Sequence, residues 1–524
     1  MTAWLDQFFA EKMIQRFGGA SVPFLIELMK ESREGHLCIQ RQDPVESPAG
    51  MIYEATIETP MFPEAPIIKR GQNYYLQRNW VYETHICRQI SRLLSAPKSS
   101  SSDPSALLNG APLLPAQAKA IQHALESPLT VISGGPGTGK TYTAGHLIQI
   151  LAKTSDVKRL YKVCLTAPTG KAAQHLQSSL CINDLPISLR VETLHRLLNL
   201  APGRSKLFQP VPIDADLIIV DEASMIDVDL WAHLLEAVSS RTKLVLMGDP
   251  DQLPPIEAGS IFSDLSDLFA VRLDRCMRTD ETKLRELSLA IQEGSLEKIK
   301  QLLESGLGTF CIFDPLNLYE KLSLPLFSEP PDPKACLDHF QQFKILNALR
   351  QGPLGIDALN QTFLRLYQKT FRTNLFWAAP ILIAANAPEI DLYNGTAGVL
   401  IGPCQKPFSL TEAKAYFQDP LSGQMRSFSP QALPHYEWAF CLSVHKSQGS
   451  EFDHVLALFP EGSERFGRES LYTAATRAKK SFHMISEQKV LENLLARRSR
   501  KRSGVVEYFR TKMQSTVMHD EPQT

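Results

Sequence analysis

Leu129-Thr-Val-Ile-Ser-Gly-Gly-Pro-Gly-Thr-Gly-Lys-Thr141 runs an apolar stretch straight into a glycine-rich turn that ends on a lysine and a hydroxyl. Residues 134 to 141 match G-x-x-x-x-G-K-[ST] in full. Such a loop turns its backbone N–H groups inward around phosphate oxygens, and its lysine reaches the β and γ phosphates. Gly134, Gly135, Pro136, Gly137, Thr138, Gly139, Lys140 and Thr141 are therefore expected to hold a nucleoside triphosphate such as ATP, with the Thr141 hydroxyl on Mg²⁺. Beyond the loop, Ala144, Leu147, Ile148 and Leu151 recur at helical spacing. The loop thus joins a buried strand to a helix whose N-terminus adds its dipole to the phosphate site. By itself the loop leaves open what the hydrolysis drives.

Further apolar runs at 162 to 166, 217 to 220 and 243 to 247 alternate with helical patterns, as in a parallel sheet covered by helices. Two of them deliver polar groups at their C-terminal tips, where α/β sheets place ligands. Leu217-Ile-Ile-Val220 leads into Asp221, expected to hold Mg²⁺ through water, and Glu222, expected to deprotonate the attacking water. Leu244 to Met247 leads through Gly248-Asp-Pro to Gln252, whose amide can touch both that water and the γ phosphate. Runs at Phe376 to Ala385, Trp438 to Val444, Val455 to Phe459 and Phe482 to Ile485 predict a second α/β domain without a second phosphate loop. It would share the one nucleotide across a cleft. Arg278 and Arg477 are the cations expected to reach over and stabilise transition-state charge.

The expected fold class is α/β: two parallel-sheet domains, a small β-rich insertion in the second and a small N-terminal domain. The Ser- and Pro-rich stretch Ser95 to Ser105 reads as a linker. It sets expected boundaries of 1–95 for an N-terminal, partner-docking domain, 96–107 for the linker, 108–272 for the first α/β domain and 273–524 for the second. The insertion is expected over about 402–436, where helical periodicity gives way to Pro, Gln, Ser and Phe. The 55 basic and 56 acidic side chains nearly cancel, so a nucleic-acid surface has to be a local patch. Nine scattered cysteines without a C-x-x-C pair argue against zinc and disulfides and fit a reducing cytosol. The longest apolar stretch is broken by Pro380, and no membrane span is expected.

Val444-His-Lys-Ser-Gln-Gly-Ser-Glu-Phe-Asp453 resembles a motor motif of superfamily 1 helicases, and within them of the RecD subunits of bacterial exodeoxyribonuclease V. Ala167-Pro-Thr-Gly-Lys-Ala-Ala173 and Thr193-Leu-His-Arg-Leu-Leu198 are similar to that family's first-domain DNA-contact motifs. Ala348-Leu-Arg-Gln-Gly-Pro-Leu-Gly355 and Tyr75-Leu-Gln-Arg-Asn-Trp80 resemble RecD segments outside the ATPase set. The resemblance implies two RecA-like domains with an SH3-like insertion. It places Gln117 on the adenine and Gly449 and Glu451 beside the nucleotide. Thr169, Lys171, Thr193, His195, His445 and Lys446 are placed along one DNA strand. Hydroxyl, imidazole and ammonium groups at strand and helix tips suit phosphate oxygens and position a strand without reading its sequence. Taken singly, each is more often a helix cap, a core histidine or a solvated lysine, and it is the collinear match that favours the DNA reading for the set.

The resemblance further implies 5′ to 3′ movement, a heterotrimer with RecB and RecC at double-strand ends, and a bacterial cytoplasm. Thr396 stands where the family usually carries an acidic residue. No nuclease constellation is evident, so exonuclease activity is expected only of the complex. A free-standing RecD-like helicase and a catalytically silent ATP-binding scaffold are the alternatives. The basic run Arg497 to Arg502 reads equally as a DNA patch or a solvated face.

Overall fold

The computed structural model describes residues 2–18, 21–56, 58–97, 112–154, 160–180, 185–200, 211–275, 282–311, 326–372, 375–405, 408–419 and 422–519. The phosphate loop lies between strand Leu129–Ser133 and helix Lys140–Thr154. That strand sits inside a six-stranded, wholly parallel sheet in the order Ala270–Arg272, Leu129–Ser133, Lys243–Gly248, Leu217–Val220, Tyr161–Ala167, Ile187–Thr193. Its central strands are apolar on both faces because helices cover both. Helices Pro115–Glu126 and Lys140–Thr154 pack on one face around Ile121, Leu147 and Ile219. Helix Val228–Ala237 packs on the other around Trp231, Ile218 and Leu246.

The second face is also covered by helix Gln77–Leu94, whose Ile86, Cys87 and Ile90 are fully buried in the same core. Ser95 marks a change in composition, but the packing crosses it. The remaining N-terminal residues form helices Thr2–Phe17 and Val22–Arg33 and a four-stranded sheet built on Asn73–Leu76.

A second, five-stranded parallel sheet runs in the order Phe310–Cys311, Ala478–Ser486, Phe452–Phe459, Phe343–Asn347, Cys441–Ser443. One expectation is corrected here. Phe376–Ile383, read as a strand of this sheet, pairs antiparallel with Ala397–Pro403 and Tyr436–Trp438. It belongs to a separate sheet that also holds Leu326–Phe327, Lys414–Gln418 and Met425–Phe428. Its side chains are buried on both sides, Trp377, Ala379 and Ile381 in one cluster and Ala378 in another. A doubly buried strand loses its alternation and reads as a parallel one.

The chain then turns back. Arg497 to Gly504 leads into helix Val505–His519, whose Val505, Tyr508 and Phe509 enter the core of the first sheet beside Ile86 and Leu265. The basic run is structural in this stretch. Arg500 pairs with Asp264 and Asp267, and the buried Lys501 ammonium donates to the carbonyls of Pro255, Ile256 and Glu257.

Candidate functional site

Glycines at 137 and 139 take φ of 73° and 85°, a left-handed backbone that only glycine adopts without strain. The loop they form wraps the Lys140 ammonium, which donates to the carbonyls of Gly134 at 2.6 Å and Gly135 at 3.0 Å. Thr138 closes the turn by donating to Gly135 O. Gln117 is buried against the loop, its amide donating to Thr138 O at 3.4 Å while its carbonyl accepts from Leu114 N. Thr141 sits half-buried one residue into the helix.

Two strands from the loop in the sheet, beyond Lys243–Gly248, strand Leu217–Val220 ends on the two carboxylates. Asp221 Oδ1 accepts from Glu222 N at 2.9 Å, and Glu222 itself is held at φ 51°. A non-glycine residue in that region is strained, and such strain gathers at functional sites. Burial raises both carboxyls above their ordinary range. Lys140 pulls Asp221 back down, whereas the charge of Asp221 lifts Glu222 further. Two carboxyls forced together in this way, with Asp221 beside a phosphate loop, form a site whose chemistry fits a divalent cation.

Across the cleft, helix Gly467–Ala475 ends beside Arg477. Arg477 is 3% exposed, and its three hydrogen bonds go to neutral oxygens, Thr473 O, Ser450 O and Thr476 Oγ1, each at 3.2 Å. A buried guanidinium without a hydrogen-bonded carboxylate is costly unless an anion arrives. Its charge is felt by Glu222, whose carboxyl it lowers. Arg278, the other cation expected here, lies outside the described residues.

A cavity of about 330 Å³ opens beside the loop. It is lined by Gly134 to Pro136, Asp249, Arg272, Arg285, Leu289, Gln292, Tyr472 and Thr476. Arg285, Leu289 and Gln292 come from helix Thr282–Glu293. Nothing local in that helix distinguishes them from a solvated face. Tyr472 had a signal, since it lies five residues before the expected cation Arg477.

Gly449 has φ 68° and lies close enough to the first-sheet side that a Cβ there would come within 3.6 Å of Ala172 Cβ. Glu451 pairs with Lys479 at 3.4 Å.

The residues expected along DNA are spread over three places. Thr169 and Thr193 are N-caps, accepting from Ala172 N and Arg196 N, which leaves each hydroxyl proton available as a donor. Thr193 lines a groove with Gly170 and Tyr393, and His195 is exposed one residue beyond Leu194. Lys171 points between the sheets and donates to Ser450 Oγ at 2.8 Å; burial and then Arg477 pull its pKa down to about 8. His445 and Lys446 line a larger cleft of about 850 Å³ with Arg350, Arg465 and Arg498. Burial keeps His445 neutral, its pKa near 4. Lys446 is held by Glu437 at 2.7 Å.

Among the described residues no helix is long and apolar enough to cross a membrane. The sequence matches the AAA domain family over residues 112–307 and the UvrD-like helicase C-terminal domain family over 439–485. It is 31% identical over 487 residues to the RecBCD enzyme subunit RecD of Mycolicibacterium smegmatis, covering 86% of this chain and 85% of that one. The RecBCD enzyme subunit RecD of Haemophilus influenzae is 28% identical, with 74% and 71% covered. The ATP-dependent RecD2 DNA helicase of Deinococcus radiodurans is 28% identical over 381 residues, 70% of this chain and 48% of that protein. With its phosphate loop, paired carboxylates and facing arginine built on two parallel sheets, the chain belongs to the RecD family.

Proposed function

We propose that this chain is an ATP-dependent DNA helicase moving 5′ to 3′ along one strand, as the RecD subunit of a complex with RecB and RecC that opens double-stranded ends for recombinational repair in the bacterial cytoplasm. One observation carries the reading. The buried, carboxylate-free Arg477 on the second sheet faces Glu222 on the first, beside the phosphate loop. Hydrolysis at such a site depends on the two sheets closing.

ATP would lie in the loop with Lys140 on its β and γ phosphates, Gln117 on the base, and Gly449 and Glu451 alongside. Mg²⁺, held by Thr141 and Asp221, would offset phosphate charge. Glu222 takes a proton from water as the water oxygen bonds to the γ phosphorus and the bond to the β–γ bridging oxygen breaks, leaving ADP and phosphate. Gln252 orients that water, and Arg477 stabilises the charge that develops. Thr169, Lys171, Thr193, His195, His445 and Lys446 hold the strand through its phosphates, alternating as the cleft opens and closes. Residues 108–272 and 273–524 supply the two motor domains and 1–95 the docking domain, with helices Gln77–Leu94 and Val505–His519 packed into the core of the first motor domain.

The test compares unwinding of 5′-tailed and 3′-tailed duplexes, with and without RecB and RecC, for wild type and Lys140→Gln. Unwinding of the 5′-tailed duplex that disappears in Lys140→Gln is expected. Unwinding that survives Lys140→Gln sinks the motor, and a 3′-tail preference sinks the polarity. Full activity without partners would favour a free-standing helicase, a reading supported by the similarity to the Deinococcus RecD2 helicase.

A further inference from the structure

The segment that carries Gln252 is gripped from the other side of the cleft. Tyr472 Oη donates to Asp249 Oδ2 at 3.0 Å, and the Leu253 N–H donates to Thr473 Oγ1 at 2.9 Å. Gln448 Nε2 donates to the Leu253 carbonyl at 3.1 Å. Tyr472 and Thr473 are neighbours on helix Gly467–Ala475, so a single rigid element reaches both ends of the strand-tip segment 249–253.

Asp249 is the hub. Its Oδ2 also accepts from Gln252 Nε2 at 3.2 Å, and its Oδ1 from Asp251 N at 3.1 Å. With the amide nitrogen bound to Asp249, the Gln252 carbonyl is left buried without a hydrogen-bond partner. A buried amide oxygen with no donor is an incomplete site, and it is the atom suited to accept from an attacking water. The Tyr472 hydroxyl also sits over the phosphate loop, 3.1 Å from where a Cβ on Gly135 would stand.

We propose that Tyr472 is a positioning residue for ATP hydrolysis: closure of the cleft brings its hydroxyl to Asp249, and Asp249 then turns the Gln252 carbonyl toward the water. When the cleft is open Asp249 loses this donor and the amide is free to rotate. Gln252 thereby reports closure as well as the phosphate. Burial and the neighbouring Asp249 keep the phenol protonated throughout, so it serves as a donor. The inference rests on the hydrolysis reading given above.

Steady-state ATP hydrolysis at saturating single-stranded DNA tests it in the full chain, with any partners that activity requires. Tyr472→Phe is expected to lower kcat about ten- to a hundredfold, as a misoriented group does, with KM for ATP changed less than about twofold. Its melting temperature should match wild type. In a Gln252→Ala background, Tyr472→Phe should have no further effect on kcat, because both changes remove the same oriented amide. Asp249→Asn, a second route to the same loss, should behave like Tyr472→Phe. Unchanged kcat in Tyr472→Phe overturns the relay while leaving the helicase reading intact, as do effects that multiply in the double variant. A wild type without DNA-stimulated hydrolysis overturns both.

Discussion

Lys344 is a charge buried in the second parallel sheet. Its ammonium donates to Ala439 O at 3.0 Å and lies 5.8 Å from the centre of the Phe452 ring. Burial, reinforced by Lys171, pulls its pKa from 10.5 down to about 7. Between those two values the unfolded chain binds more protons than the folded one, so stability should rise with pH across the window and flatten below about 7. Lys344→Met is expected to raise stability at pH 7 by about 1 kcal/mol and to flatten that rise, because removing an unpaired buried charge relieves desolvation. Melting curves from pH 6 to 10 check both. Glu437 poses the opposite case at the surface, holding Lys446 at 2.7 Å and Arg350 at 2.6 Å. Glu437→Gln should free Lys446 and loosen Arg350, which keeps Asp357 at 3.5 Å, and should tighten single-stranded DNA binding severalfold at low salt, with the gain lost at high salt. Fluorescence anisotropy titrations at two ionic strengths would show whether that cation pair faces the strand. Lys140, Asp221, Glu222 and Gln252 were legible because each follows an apolar run, directly or through a Gly- or Pro-marked turn. Asp249 and Tyr472 were not legible as a pair, since no local pattern links residues 223 positions apart.

At the scale of elements, polarity inside a buried strand hides it. Phe343–Asn347 is a central strand of the second sheet, yet Lys344 and Asn347 break its apolar run, and the sequence offers no strand there. Asn347 is fully buried because it caps the turn that follows, donating to Leu354 O and accepting from Leu349 N. The four expected strands of the first sheet read correctly because their charged residues, Lys162 and Lys243, stand only at the start of a run. Helix Gln77–Leu94 carries a buried ion cluster that ties the N-terminal sheet to the C-terminal helix. Glu83, fully buried, accepts from Arg70 at 2.6 Å, Tyr75 at 3.0 Å and the Gly504 N–H at 2.8 Å. Glu83→Ala leaves the Arg70 guanidinium buried without its partner and is expected to cost about 3–5 kcal/mol. Denaturant titration measures that cost. Limited proteolysis should then cut near Gly504 sooner than in wild type, and equal protection would mean that the cluster does not hold the C-terminal helix.

For the whole molecule, composition spoke only to class. A net charge of −1 gave no sign of a cleft that gathers Arg350, Arg465 and Arg498, with Asp6, Glu34 and Glu437 in the same lining. The return of the C-terminus was equally hidden, since a basic run reads as solvated wherever its acidic partners lie far off in sequence. Asp264 and Asp267 are more than 230 residues from Arg500. That return has a mechanical meaning. Ser499 is fastened to the second-sheet side, its N–H donating to Glu469, and Arg468 N donates to Arg497 O. Arg500 and Lys501 are fastened to the first-sheet side. The handover occurs across one peptide bond. A body attached at the end of strand Ala270–Arg272 and again at 499–500 swings like a door on two pins, whereas a single linker would let it wander like a tethered ball. The rear pin sits at the start of the helix whose second half carries Tyr472. On the closing-cleft proposal, rotation about that axis would become travel of the tyrosine hydroxyl, and the strap would set the arc along which it reaches Asp249.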